Sequence, residues 1–133
     1  MTIEEINEYL FTELFGWERV DNYNMNGVKY NYVKINEHGR VYASAVFPTH
    51  YQTHWEPVLA ELKLRERIEC YGHKNCSEIW QIGCNEGVEW YAQIVTVDPG
   101  GEIVARWDIK HGDTPGEAVC RAAVDYLQKR GPG

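Results

Sequence analysis

Long apolar runs are missing from this chain: none approaches the roughly 20 residues that a bilayer-crossing helix needs, so no membrane partner is expected. Basic clusters are missing too. The 13 Lys and Arg are scattered among 20 Asp and Glu, for a net charge of -7. A groove that tracks duplex phosphates needs clustered cations, so duplex nucleic acid is disfavoured as a partner. The chain has no G-x-S-x-G, P-loop or G-x-G-x-x-G signature, and its serines show no obvious triad arrangement with His and an acid in sequence. Carboxylate pairs such as Glu4/Glu5 lie at a helix start, where they read as caps. No repeat and no linker composition interrupts the chain. An enzyme is therefore the less favoured class, and no cofactor is expected.

What is there is aromatic and apolar. Hydrophobic residues make up 44% of 133 residues, and five Trp and nine Tyr are many for this length. That composition suits one folded domain over residues 1–133. Large amphipathic rings fill small β-rich cores, and they also line recognition surfaces. The opening MTIEEINEYL is acidic and amphipathic, unlike a signal peptide. A reducing cytoplasm is the expected compartment, without disulfides.

The element pattern runs as follows. "TIEE" is a capping box of Thr2 and Glu5. Ile3, Ile6, Leu10 and Leu14 then recur at helical spacing up to a Gly16 stop, which predicts a helix over Ile3 to Phe15. "DNYNMNG" reads as a loop. "VKYNYVKI" and "RVYASAVF" alternate around "NEHG" and predict a β-hairpin. "THYQTHWEPVLAELKL" predicts a second helix that begins near Trp55, with Pro57 in its first turn. Four strand-like runs follow: "RIECYG", "SEIWQIGC", "VEWYAQIVTV" and "EIVARWDI", the last two joined by the turn "DPGG". "DTPGEAVCRAAVDYLQKR" is a closing helix with Thr114 as N-cap, Pro115 at N1 and Glu117 at N3. Its buried stripe is Ala118, Val119, Ala122, Ala123, Tyr126 and Leu127. The order is α-ββ-α-ββββ-α, and tight connections make the strands antiparallel, an α+β layered domain.

Three segments carry a resemblance: the opening MTIEEINEYLFTELFGW, the FPTHYQTHWEPVLAELK that leads into the second helix, and the closing GDTPGEAVCRAAVDYL. Together they resemble the phage ABA sandwich domain family, small proteins of phages and prophages. The resemblance covers about half the chain. It implies a helix-sheet-helix sandwich with a mainly antiparallel sheet, a phage or prophage origin, and a packing role for Cys120. It supplies no function directly. The section from Cys70 to Ile109 holds more strand than a typical member.

Two constellations carry chemistry. Cys70, His73 and Cys76 form C-x2-H-x2-C, and Cys84 could add a fourth zinc ligand. Cys70 and Cys84 fall on predicted strands, however, where a thiol packs as a small hydrophobe. Burial is the leading reading, and the zinc set stays open. In "HYQTHW", His50 and His54 are four apart but lack the Glu of H-E-x-x-H. With Tyr51 and Trp55 they place four flat rings at a loop-helix junction, which could stack a base and hold a phosphate.

The leading expectation is a non-catalytic, phage-encoded binding protein that counters bacterial defence by sequestering a small nucleotide-type immune signal in the host cytoplasm. Its candidate ligand residues are the rings Tyr51, His54, Trp55 and Tyr91 and the cations Arg106 and Arg40. The competing structural reading has Trp55 packing the second helix on the sheet and Arg106 pairing with Glu89. Alternative functions are a direct inhibitor of a host defence protein, a metal-dependent hydrolase using His50, His54, Cys70, His73 and Cys76, and a structural module. A homo-oligomer is compatible with each.

Overall fold

A computed structural model describes the backbone of residues 1–62, 67–70, 73–85 and 89–130, and the side chains of residues 1–62, 79–84 and 89–129. It is a mixed α+β structure in which every strand pairing is antiparallel. Two compact units divide it, Met1–His50 and Tyr51–Gly133. Among the described residues, no helix is long and apolar enough to cross a membrane.

The first unit opens with helix α1 (Ile3–Tyr9), capped as the sequence predicts. The Thr2 hydroxyl accepts from the Glu5 N–H, and the Glu5 carboxylate accepts from the Thr2 N–H, each at 3.2 Å. The bond from the Thr2 backbone N–H, and after it the Thr2 hydroxyl, hold the Glu5 carboxyl below its usual range. The helix does not stay α-helical to Phe15. Leu10–Leu14 form a π-helical turn that closes with a bond from the Phe15 N–H to the Leu10 carbonyl at 3.0 Å. The Thr12 hydroxyl donates to the Glu8 carbonyl at 3.0 Å, a side-chain bond of the kind that competes with the helical ladder. Across this turn the consecutive residues Leu10 and Phe11 are both buried. Gly16, at φ +77°, ends the helix as expected.

The expected loop "DNYNMNG" is mostly strand. β1 (Glu18–Met25) pairs with β2 (Val28–Ile35) through Met25 opposite Val28, leaving Asn26-Gly27 as a two-residue turn. Both turn residues have positive φ, 52° and 81°, as a type I′ hairpin requires. A register shift between Arg19 and Tyr23, with Asn22 at φ 61°, interrupts the pairing. β2 continues to β3 (Val41–Ala45), so this unit holds a three-stranded sheet in the order β1-β2-β3. The turn between β2 and β3 is organised by the Asn36 side chain, whose Oδ1 accepts from the N–H groups of His38 and Arg40.

The second unit begins its regular structure at α2 (Glu56–Leu62), with Pro57 inside the first turn. β4 (Arg67–Cys70), β5 (His73–Asn85), β6 (Glu89–Val97) and β7 (Ile103–Arg106) then pair in sequence order. The predicted strand "EIVARWDI" is shorter than expected. It breaks after Arg106, and β8 (Lys110–Gly112) rejoins β6 farther along. In the gap the Trp107 N–H donates to the Ile94 carbonyl, and the Gln93 side-chain amide donates to the Trp107 carbonyl at 2.8 Å. The buried Gln93 thus satisfies the backbone that the ladder leaves out.

Helix α3 (Pro115–Arg130) packs on β6 and β8. Its N-cap is Thr114, which accepts from the Glu117 N–H at 3.1 Å, while the Glu117 carboxylate accepts from the Asp113 N–H. Ala118, Val119, Ala122, Ala123 and Tyr126 are buried as predicted, and Leu127 is half-buried. Cys120 and Val124 are buried as well, so the covered arc is wider than a single stripe. Gly116 shows how close the packing is: a Cβ there would lie 1.8 Å from the Gln52 carbonyl oxygen.

Candidate functional site

A candidate site among the described residues is a cavity of about 230 Å³ in the first unit. Helix α1 supplies Glu4, Asn7 and Glu8, three residues on one face by their i, i+3, i+4 spacing. β2 supplies Tyr32, and the segment after β3 supplies Phe47, Pro48 and His50. Register explains how its floor is fixed. Arg19 of β1 stands opposite Tyr32 of β2, so the two side chains share one face of the sheet. Both donate to the same oxygen, Glu8 Oε1: the Arg19 Nη1 at 2.8 Å and the Tyr32 hydroxyl at 3.1 Å. Burial, and after it the bond to Glu8, push the Tyr32 phenol above its usual range, so it stays a donor.

Behind the floor lies an aromatic stack. The Phe11 ring meets Tyr32 edge-on at 5.2 Å and lies parallel to Trp17 at 4.6 Å, and the Lys34 ammonium sits 5.5 Å over Trp17. These contacts lock Tyr32 from one side. Asn7 and Tyr32 are 4% and 6% exposed, whereas Phe47 is 75% exposed and offers its ring at the rim. Most of the wall is apolar, and its carboxylates are those of Glu4 and Glu8.

The ligand residues expected from sequence fall otherwise. Arg40 is exposed in the first unit, on the β2–β3 turn. Tyr51, His54, Trp55, Tyr91 and Arg106 all belong to the second. Tyr51 is only 3% exposed, so its ring is a core ring and not a surface one. His54, and His50 in the first unit, are exposed, and half-buried Trp55 points its Cδ1 at the backbone of Gly116 on α3. Trp55 thus meets the first turn of α3. Of the four rings, Tyr51 is therefore not available for stacking. Tyr91 lies across its cross-strand partner Gly83, its ring filling the space a Cβ would take.

Arg106 is exposed and shares a sheet face with Tyr91, but it stands opposite Val95, four residues farther along β6. Four residues of strand separate them by roughly 13 Å. Nor does Arg106 pair with Glu89, which instead faces His111 at 3.7 Å. The register explains this correction: β8, not β7, runs beside that end of β6.

The zinc set Cys70, His73 and Cys76 lies outside the described side chains. Cys84 is exposed and Cys120 is buried, both as free thiols. Among the described residues, no group of three His, Cys, Asp or Glu is placed to hold a metal ion.

Sequence reading passed over the cavity because it took Glu4 and Glu5 together as caps. Only Glu5 caps. The missed signal was the polar row Glu4, Asn7, Glu8 beside the apolar row Ile3, Ile6, Leu10. Comparison with known protein families, with curated proteins and with solved structures found no match.

Proposed function

We propose that this is a non-catalytic binding protein that captures a small nucleotide-type ligand and withholds it from its receptor. The observation that carries this reading is the cavity of the first unit, with an exposed ring at its rim and fixed hydrogen-bonding groups on its floor. A binding site of this kind needs a stacking surface and a few oriented polar groups, not an activated nucleophile. The resemblance of the opening and closing segments to phage ABA sandwich proteins supports a phage origin, a helix-sheet-helix layering and action in the bacterial host cytoplasm. In that setting the withheld ligand is an immune signal of the host.

Titration calorimetry of the full chain against cyclic dinucleotides, linear dinucleotides and NAD-derived nucleotides tests this. At least one should bind, and heat denaturation of the complex should release it chemically unchanged. Recovery of a cleaved product makes the protein an enzyme and ends the capture reading.

A second reading draws on β3. Its outer side has no partner strand among the described residues, and its sequence VYASA carries neither charge nor proline. Such an edge accepts an added strand, which favours a protein partner: a blocked host protein or another copy of this chain. Failure of every nucleotide to bind, with a host protein co-purifying, would decide for this reading.

A further inference from the structure

The chemistry of the cavity restricts which part of a ligand it can take. Its acidic groups are Glu4 and Glu8, and the structure records no partner for the second oxygen of Glu8 or for Glu4 among the described residues. A carboxylate accepts hydrogen bonds and donates none. Phosphate oxygens, also acceptors and negatively charged, would meet those oxygens without a shared proton. Arg19, the cation that pairs with Glu8 at 2.8 Å, is not part of the lining. A phosphate therefore belongs outside. At about 230 Å³ the cavity also falls below the roughly 300–1,000 Å³ of sites that enclose whole drug-sized ligands. It has room for one ring system and not for a dinucleotide.

A flat ring with N–H donors on its edge meets all of these conditions. Phe47 offers a stacking face at the rim, Tyr32 closes the floor, and the carboxylates wait for donors. Resting on the capture reading above, we propose that the cavity is the base subsite, and that it selects a purine bearing an exocyclic amine, adenine or guanine. The amine donates to Glu8 or Glu4 and the ring stacks on Phe47, while sugar and phosphates stay outside the cavity. Hypoxanthine and unsubstituted purine fill the same shape but lack that amine. They leave a carboxylate desolvated against a carbon-bound hydrogen or empty space.

Nucleosides isolate the base from the phosphate question. Binding of adenosine is compared with purine riboside, and of guanosine with inosine, by titration of the full chain at fixed salt. Each pair differs only by the exocyclic amine. In at least one pair the aminated member should bind tenfold or more tightly. Phe47→Ala should weaken that nucleoside by about tenfold, and Glu4→Gln with Glu8→Gln should shrink the preference within the pair, circular dichroism confirming that each variant is folded. Equal binding within both pairs overturns the base assignment while leaving nucleotide capture intact. So does nucleotide binding that Phe47→Ala does not change. Binding of methylguanidinium or arginine amide without any nucleoside overturns it as well, and reassigns the cavity to a cationic side chain. If no nucleoside and no nucleotide binds, both this inference and the capture reading fall.

Discussion

Burial at Cys120 has a measurable cost in alkali. The side chain sits inside α3 with 2% exposure, and desolvation pushes its thiol up to about 12. In the unfolded chain the same thiol ionises near the ordinary value of about 8.5. Between those limits the unfolded state holds fewer protons than the folded one, so stability falls as pH rises. The slope from this one group reaches about 1.4 kcal/mol per pH unit. Urea unfolding at pH 8, 9 and 10 should show wild type losing stability faster than Cys120→Ala, and parallel losses would show that the thiol is not desolvated. That Cys120 packs was legible from its place among alanines in a helical stripe. That Tyr51 packs was not, because an aromatic ring in a short polar loop gives no sign of which way the chain turns it. Tyr91 was equally opaque: only the pairing register reveals that it covers Gly83.

The elements were readable where side chains cap backbone. α3 begins at Pro115 after Thr114, as its three start signals require. Thr114→Ala removes the acceptor for the Glu117 N–H and should cost about 1 kcal/mol by thermal or urea unfolding. Ala122→Asp places an unpaired charge at a position 3% exposed and should cost several kcal/mol or prevent folding. An unchanged melting temperature for the second variant would mean that α3 does not face the sheet. Elements were lost where polar composition hid a strand. Asn26-Gly27 is the strongest hairpin signal a sequence offers, yet the asparagines around it read as loop. The π-helical turn at Leu10–Leu14 is accompanied by the Thr12 bond to the Glu8 carbonyl, and the break after Arg106 by the Gln93 bond to the Trp107 carbonyl. Neither leaves a periodic trace.

At the scale of the molecule, sequence led to an α+β chain with antiparallel strands and three helices. It did not lead to the candidate site, because the cavity is assembled from α1, β2 and the segment after β3, and only the fold makes them neighbours. One further property belongs to this scale. The uncharged edge of β3 is held by a chain with a net charge of -7, and every copy therefore repels every other. Raising salt shortens the reach of that repulsion from about 10 Å at 0.1 M to about 3 Å at 1 M, while backbone pairing between edges is little screened. The protein should accordingly behave as a colloid that salt brings together: its sedimentation mass should rise with sodium chloride as well as with concentration. Ala43→Lys, which puts a charge in the middle of the edge, should hold it at the monomer mass at low and high sodium chloride alike. Association that is unchanged in that variant would place the contact somewhere other than β3.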